Sequence, residues 1–104
     1  MKQNKIYSLL GLATRSRNLV SGEFMTETKI KHGEAELVIV GEDASENTKK
    51  KFRNMCEFYQ VSLFCYGTKE ELGWAIGKEM RATLAVTDEG FAKSLKKMLE
   101  EERR

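Results

Sequence analysis

The sequence predicts an α/β fold, a three-layer α-β-α sandwich, and three observations lead there. Short runs of β-favouring residues alternate with stretches of helical periodicity. Leu37-Val38-Ile39-Val40 is apolar at consecutive positions, the pattern of a strand buried on both faces in a covered, at least partly parallel sheet. The balance of 40% hydrophobic and 33% charged residues in a 104-residue chain suits one globular domain over 1–104, with enough apolar surface for a core.

The elements follow in order. Ile6, Leu9, Leu10 and Ala13 share one helical face, so a helix is expected from about Lys2 to Arg15. Ser16-Arg17-Asn18 reads as a loop and Leu19-Val20 as a very short strand. Ser21-Gly22 interrupts the chain and starts a second helix, with Ser21 as its N-cap and Gly33 just past its end. That helix has weak periodicity, because Thr26-Glu27-Thr28-Lys29 is polar all round. The strand 37–40 comes next. Asp43-Ala44-Ser45-Glu46 then looks like a helix start, and Phe52, Met55, Cys56 and Tyr59 form its apolar face. Val61 to Tyr66 reads as a strand closed by Gly67. Thr68-Lys69-Glu70-Glu71 matches a capping box and opens a short helix with Leu72, Ala75 and Ile76. A polar loop over 77–81 leads to a strand from Ala82 to Val86. Phe91, Leu95, Met98 and Leu99 mark the last helix, and residues 100–104 read as a frayed end.

Composition narrows the function classes. No apolar run approaches the ~20 residues of a membrane span, and the N-terminal residues do not read as a signal peptide. The expectation is a cytoplasmic monomer without membrane association. Cys56 and Cys65 lie in apolar patterns and read as small buried hydrophobes. With His32 the only histidine, neither a metal site nor a Ser–His or Cys–His nucleophile is expected. His32 sits at the expected end of the second helix, where the dipole favours an imidazolium. Asp43 and Asp88 follow strands and are expected to cap the next helices. Glycine-rich phosphate loops are missing, and no cofactor is expected. Trp74 lies among apolar neighbours and reads as core or groove packing rather than a stacking platform.

The net charge of +2 is unevenly spread. Residues 1–33 hold six basic and two acidic side chains, so a polyanion would be drawn to the first third. Gly22 at the start of the second helix would let another molecule approach the backbone, and the N–H groups of the first turn suit phosphates. Arg15 and Arg17 precede that helix, and Lys29 and Lys31 follow on it. An ordinary capped surface helix reads equally well from these residues.

Five segments carry a resemblance: Leu9-Leu10-Gly11-Leu12-Ala13, Leu19-Val20-Ser21-Gly22-Glu23, the stretch 36–45, the stretch 71–78 and the stretch 85–92. Together they resemble the bacterial YlxQ branch of the ribosomal kink-turn-binding family, across nearly the whole chain. The resemblance implies a mixed four-stranded sheet and a non-enzymatic protein that binds structured RNA, ribosomal or other non-coding. It also implies a binding face made from the start of the second helix and a loop near the last strand. In that family the helix motif reads G-x-N-E-x-x-K. Here its glycine falls on Gly22, while Phe24, Met25 and Thr28 occupy its Asn, Glu and Lys positions. The candidate RNA-binding residues are therefore Gly22, Glu23, Phe24, Met25, Thr28, Lys29 and Lys31, with Lys78 and Arg81 from the loop. Phe24 and Met25 cannot read base edges as an amide and a carboxylate do. The alternative is a protein-interaction adaptor, in which this pair contacts a partner in translation or transcription.

Overall fold

The computed structural model describes residues 4–102. The expected helix start at Lys2 lies outside those residues. Helix α1 (Lys5–Arg15) begins at Asn4, whose Oδ1 accepts from the Tyr7 amide at 2.7 Å. Ile6, Leu10 and Ala13 then point inward, as the spacing predicts. A tight turn through Arg17 at φ 64° leads to β1 (Leu19–Ser21).

Helix α2 (Glu23–Lys31) is capped differently from the expectation. Its N-cap is Gly22, at φ 93° and ψ 154°, and no side chain caps the helix. Ser21 instead ends β1, and its hydroxyl accepts from Arg81 Nε at 3.1 Å. The positive φ explains the choice, since only glycine reaches that backbone region cheaply. At the other end Gly33 stands at φ 73°, one residue past the C-cap His32, as expected.

Strand β2 (Leu37–Val40) is buried at every position. Helix α3 (Glu46–Tyr59) starts from Ser45, whose Oγ accepts from the Thr48 amide. Asp43 does not cap this helix. Its Oδ1 accepts from the Lys69 amide at 2.8 Å and so pins the start of α4. Helix α3 ends at Gln60 in the left-handed region, where a glycine would be the usual choice. Strand β3 (Ser62–Cys65) leads to α4 (Lys69–Ala75), whose capping box of Thr68 and Glu71 forms as the motif predicts. After β4 (Thr83–Val86), Asp88 caps α5 (Glu89–Glu102) through the Phe91 amide at 2.9 Å. Residues 100–102, expected to fray, remain helical.

The strand order is β1-β4-β2-β3. β4 runs antiparallel to β1 and to β2, while β2 and β3 are parallel, giving the mixed four-stranded sheet. Alternation along β2 divides the core. Leu37 and Ile39 pack with Ile6, Leu10, Leu72, Leu84, Leu95 and Leu99, beneath α1, α4 and α5. Val38 and Val40 face the opposite side with Ile30, Phe52, Cys56 and Ala85, beneath α2 and α3. Helices on both faces make the three layers. Cys56 is buried, while Cys65 is only half-buried. Trp74 departs from expectation: it stays 41% exposed, because α4 turns Leu72 and Gly73 inward instead.

Candidate nucleic-acid interface

Two segments far apart in sequence meet at one end of the sheet. The Gly22 amide donates to the Thr83 carbonyl at 2.9 Å, which fixes the start of α2 against the start of β4. Arg81, two residues before Thr83, donates from Nε to Ser21 Oγ and from Nη1 to the Met80 carbonyl at 2.9 Å. Beneath them the Thr83 hydroxyl donates to that of Thr26 at 3.2 Å, and both residues are fully buried. A buried hydroxyl needs such a partner, so this pair locks α2 onto the sheet.

The resulting surface is open. A Cβ at Gly22 would meet nothing within 4 Å. The first turn of α2 presents backbone N–H groups that no side chain caps, next to the Arg81 guanidinium. The loop carrying Lys78 and Arg81 folds back tightly on α4. A Cβ at Gly73 would lie 1.2 Å from the Glu79 carbonyl oxygen, so that crossing requires glycine. The Arg81 amide donates to the Lys69 carbonyl at 3.0 Å, which brings Lys69 beside this loop.

The structure gathers some expected residues and separates others. Gly22, Phe24, Met25 and Arg81 cluster about the start of α2, and Lys78 lies on the adjoining loop. Phe24 is 79% exposed and Met25 is exposed beside it. Glu23 turns away toward α3, where its Oε2 accepts from the Thr48 hydroxyl at 3.2 Å and its Oε1 lies 3.9 Å from Lys51 Nζ. Thr28 donates its hydroxyl to the Phe24 carbonyl at 2.8 Å. Lys29 pairs with Glu34 at 3.0 Å, and Lys31 with Glu27 at 2.7 Å. Both lysines also lie about 10 Å or more along the helix from Gly22, at 1.5 Å of rise per residue. Arg17 sits at the other end of β1, where the Asn18 carbonyl accepts from Thr87.

These pairings show in the titration of the groups. Hydrogen bonds from Lys31 and then Lys51, which lies 2.9 Å away, hold the Glu27 carboxyl down at about 2. The Lys29 hydrogen bond likewise lowers Glu34, and the Glu27 hydrogen bond raises Lys31. His32, at the end of α2, lies 3.8 Å from Glu34. Sequence reasoning missed Lys69 and Met80. Met80 is 56% exposed immediately before Arg81, and an apolar residue inside a polar loop was the available signal.

Away from this face, a concavity of about 420 Å³ is lined by Tyr7, Tyr66, Glu42, Glu71 and Glu102 among others. The Tyr7 hydroxyl donates to Glu71 Oε1 at 3.0 Å. Burial, then that hydrogen bond, pushes the phenol well above its ordinary value. The phenol therefore stays protonated near neutrality. Among the described residues, no group of three or more His, Cys, Asp or Glu is placed to hold a metal ion, and no helix is long and apolar enough to cross a membrane.

The chain is similar to several known proteins. Residues 4–96 match the ribosomal protein L7Ae/L30e/S12e/Gadd45 family. The chain is 45% identical over 94 residues to the RNA-binding protein YlxQ of Bacillus subtilis (strain 168), covering 90% of this chain and 94% of that protein. It is 39% identical to the RNA-binding protein YlxQ of Enterococcus faecium, over 94% of each. Among solved structures, a protein of unknown function from Bacillus halodurans C superposes with a TM-score of 0.91 at 39% identity, over 94% of this chain and 99% of that one. A Giardia lamblia 15.5kD RNA binding protein shares the fold at a TM-score of 0.78 and 18% identity, over 97% of this chain and 92% of that one.

Proposed function

We infer the function from one premise, that this chain belongs to the ribosomal protein L7Ae/L30e/S12e/Gadd45 family. It is a non-enzymatic protein that binds structured RNA, ribosomal or other non-coding, through the start of α2 and the loop after α4. The observation that carries this reading is the pairing of Arg81 with Ser21, next to the uncapped start of α2 at Gly22. A helix start with open N–H groups beside a fixed guanidinium suits a phosphate backbone, since both supply donors and positive potential. Gly22, Phe24, Met25, Lys78 and Arg81 are the residues assigned to contact, and we add Lys69, whose carbonyl accepts from the Arg81 amide. Glu23, Thr28, Lys29 and Lys31 are assigned to support α2, because each is engaged within the protein. Kink-turn helices remain among the RNAs to be tried, although only Gly22 keeps the motif of the resemblance.

The test is a gel shift at low salt, with folded ribosomal RNA fragments, a kink-turn stem and a charge-matched polyanion. Preference for folded RNA, lost in Arg81→Ala and in Gly22→Asp, supports the reading. Equal affinity for the polyanion overturns it. One observation favours a second reading, a protein adaptor: Phe24 and Met25 stand exposed while Lys29 and Lys31 are paired. In that case a partner from translation or transcription survives nuclease treatment in a pull-down, and Phe24→Ala weakens capture more than Lys29→Ala.

A further inference from the structure

The two edges of the sheet differ. β1 is three residues long, and its last residue, Ser21, accepts from Arg81. β3 forms the other edge, beyond β2. The Tyr66 amide donates toward β2, to the Val40 carbonyl at 3.0 Å. Along a strand the amide and carbonyl of one residue point to one side, and those of the next residue to the other. Leu63 and Cys65 therefore turn both groups outward, where among the described residues no strand pairs with them. From Val61 to Gly67 there is no charged side chain and no proline, two devices that commonly protect a sheet edge.

The cavity of about 420 Å³ opens beside the end of this strand, since residues 64–67 line it. Tyr7 of α1, Glu71 of α4 and Glu102 of α5 stand round Tyr66, and Glu42 joins them from the loop after β2. The two phenol rings lie 5.6 Å apart between centroids. Glu71 is already engaged, because its Oε1 accepts from the Tyr7 hydroxyl and the Thr68 amide. Glu42 and Glu102 join no ion pair among the described residues, and none of the residues lining the cavity is a cation. Burial raises the Tyr66 phenol, and the charges of Glu102, Glu71 and Glu42 raise it further. A guanidinium suits such a place, since it stacks on an aromatic face and pairs with a carboxylate through two N–H groups at once.

We propose that β3 accepts an extended, basic segment of another protein as a fifth strand, with an arginine of that segment seated in the cavity against Tyr66, Glu42 and Glu102. Main-chain hydrogen bonds to Leu63 and Cys65 supply affinity for any extended chain, and the cavity selects the side chain. Successive side chains alternate between faces, so only every second one falls on the face of the cavity. Gly22 follows β1 at the opposite edge, so the proposal does not depend on the RNA-binding reading.

The probe is the end-capped peptide Ser-Thr-Val-Thr-Arg-Thr-Val-Thr-Ser, with versions carrying glutamine or glutamate in place of arginine. Two further versions are N-methylated at alternate residues, one in each register. Amide NMR shifts of the full chain are followed during titration to millimolar peptide. The expected result is movement of the Leu63 and Cys65 amides, with the arginine peptide bound about tenfold tighter than the glutamate one. One N-methylated register should lose binding and the other keep it, because only one set of peptide amides faces β3. The double variant Glu42→Gln with Glu102→Gln should erase the preference for arginine and leave the glutamine peptide bound as before. Both side chains are exposed, and an unchanged melting temperature separates lost pairing from lost folding. No shift at the β3 edge, equal binding of the arginine and glutamate peptides, equal behaviour of the two N-methylated registers, or a preference that survives the double variant each overturns the proposal.

Discussion

The salt dependence of RNA binding tests how many cations the proposed face contributes. Lys69, Lys78 and Arg81 are the cations assigned to it, and among the described residues no ion pair joins any of them to a carboxylate. Each phosphate neutralised steepens the logarithmic salt slope by about 0.9, so three cations give a slope of about −2.7. Between 50 and 200 mM salt, affinity should then fall about fortyfold. If Lys29 and Lys31 left Glu34 and Glu27 to join them, the slope would approach about −4.5 and the loss about five-hundredfold. Their distance from Gly22 exceeds the screening length of about 8 Å at physiological salt, which argues against their help. The assay is filter binding of one folded RNA across that salt range, with Arg81→Ala run in parallel. Arg81→Ala should flatten the slope by about 0.9. A wild-type slope steeper than about −4, or one that Arg81→Ala leaves unchanged, refutes the assignment of the face to these three residues.

Further outcomes can be measured on the protein alone. Gly22→Ala meets no steric obstacle but must hold φ 93°, so urea unfolding should show about 1–3 kcal/mol lost. Thr26→Val leaves the Thr83 hydroxyl buried without its partner and should cost about 1–3 kcal/mol, whereas Thr26→Val with Thr83→Val should be nearly neutral. A double variant as unstable as the sum of its singles would contradict the hydroxyl pair. The Glu27 carboxyl titrates at about 2 when folded, below its ordinary 4.5. Its stabilising share is therefore full above pH 4.5 and fades as pH falls toward 2. Glu27→Gln should flatten that part of the acid limb in a thermal-melt series. Burial pushes the Cys56 thiol up to about 11. At pH 8 a thiol reagent should thus modify half-buried Cys65 first and reach Cys56 only as the protein unfolds.

Most of the fold was legible because its signals are local. The consecutive apolar residues of β2, the helical spacing in α1, α3 and α5, and the Thr68 capping box each lie within a few turns of chain, and each forms. Two errors came where a short polar side chain had more than one partner within reach. Ser21 was expected to cap α2, but a glycine at positive φ makes that turn and frees the hydroxyl for Arg81. Asp43 was expected to cap α3, but Ser45 does so, and Asp43 reaches across to Lys69 at the start of α4. Trp74 was read as packed from its apolar neighbours, yet a helix of seven residues has one inward face, and Leu72 and Gly73 occupy it.

The site was less legible than the fold for a related reason. Residue type and position suggested Gly22 and Arg81, but what joins them is a set of contacts spanning some sixty residues of chain. Charge counting in the first third also pointed to Lys29 and Lys31, and counting cannot see that Glu27 and Glu34 hold them. The positive balance of that third therefore overstates the potential near Gly22. The Phe24 position carries the opposite lesson. Its loss of the family's Asn looks in sequence like decay of a binding motif. In the structure the ring stands out in solvent at the open start of a helix that the Thr26–Thr83 pair fixes in place. The exposed ring, the uncapped turn and the Arg81 guanidinium are thus the groups that the RNA-binding reading would use, with a chemistry of contact other than the amide and carboxylate of the motif.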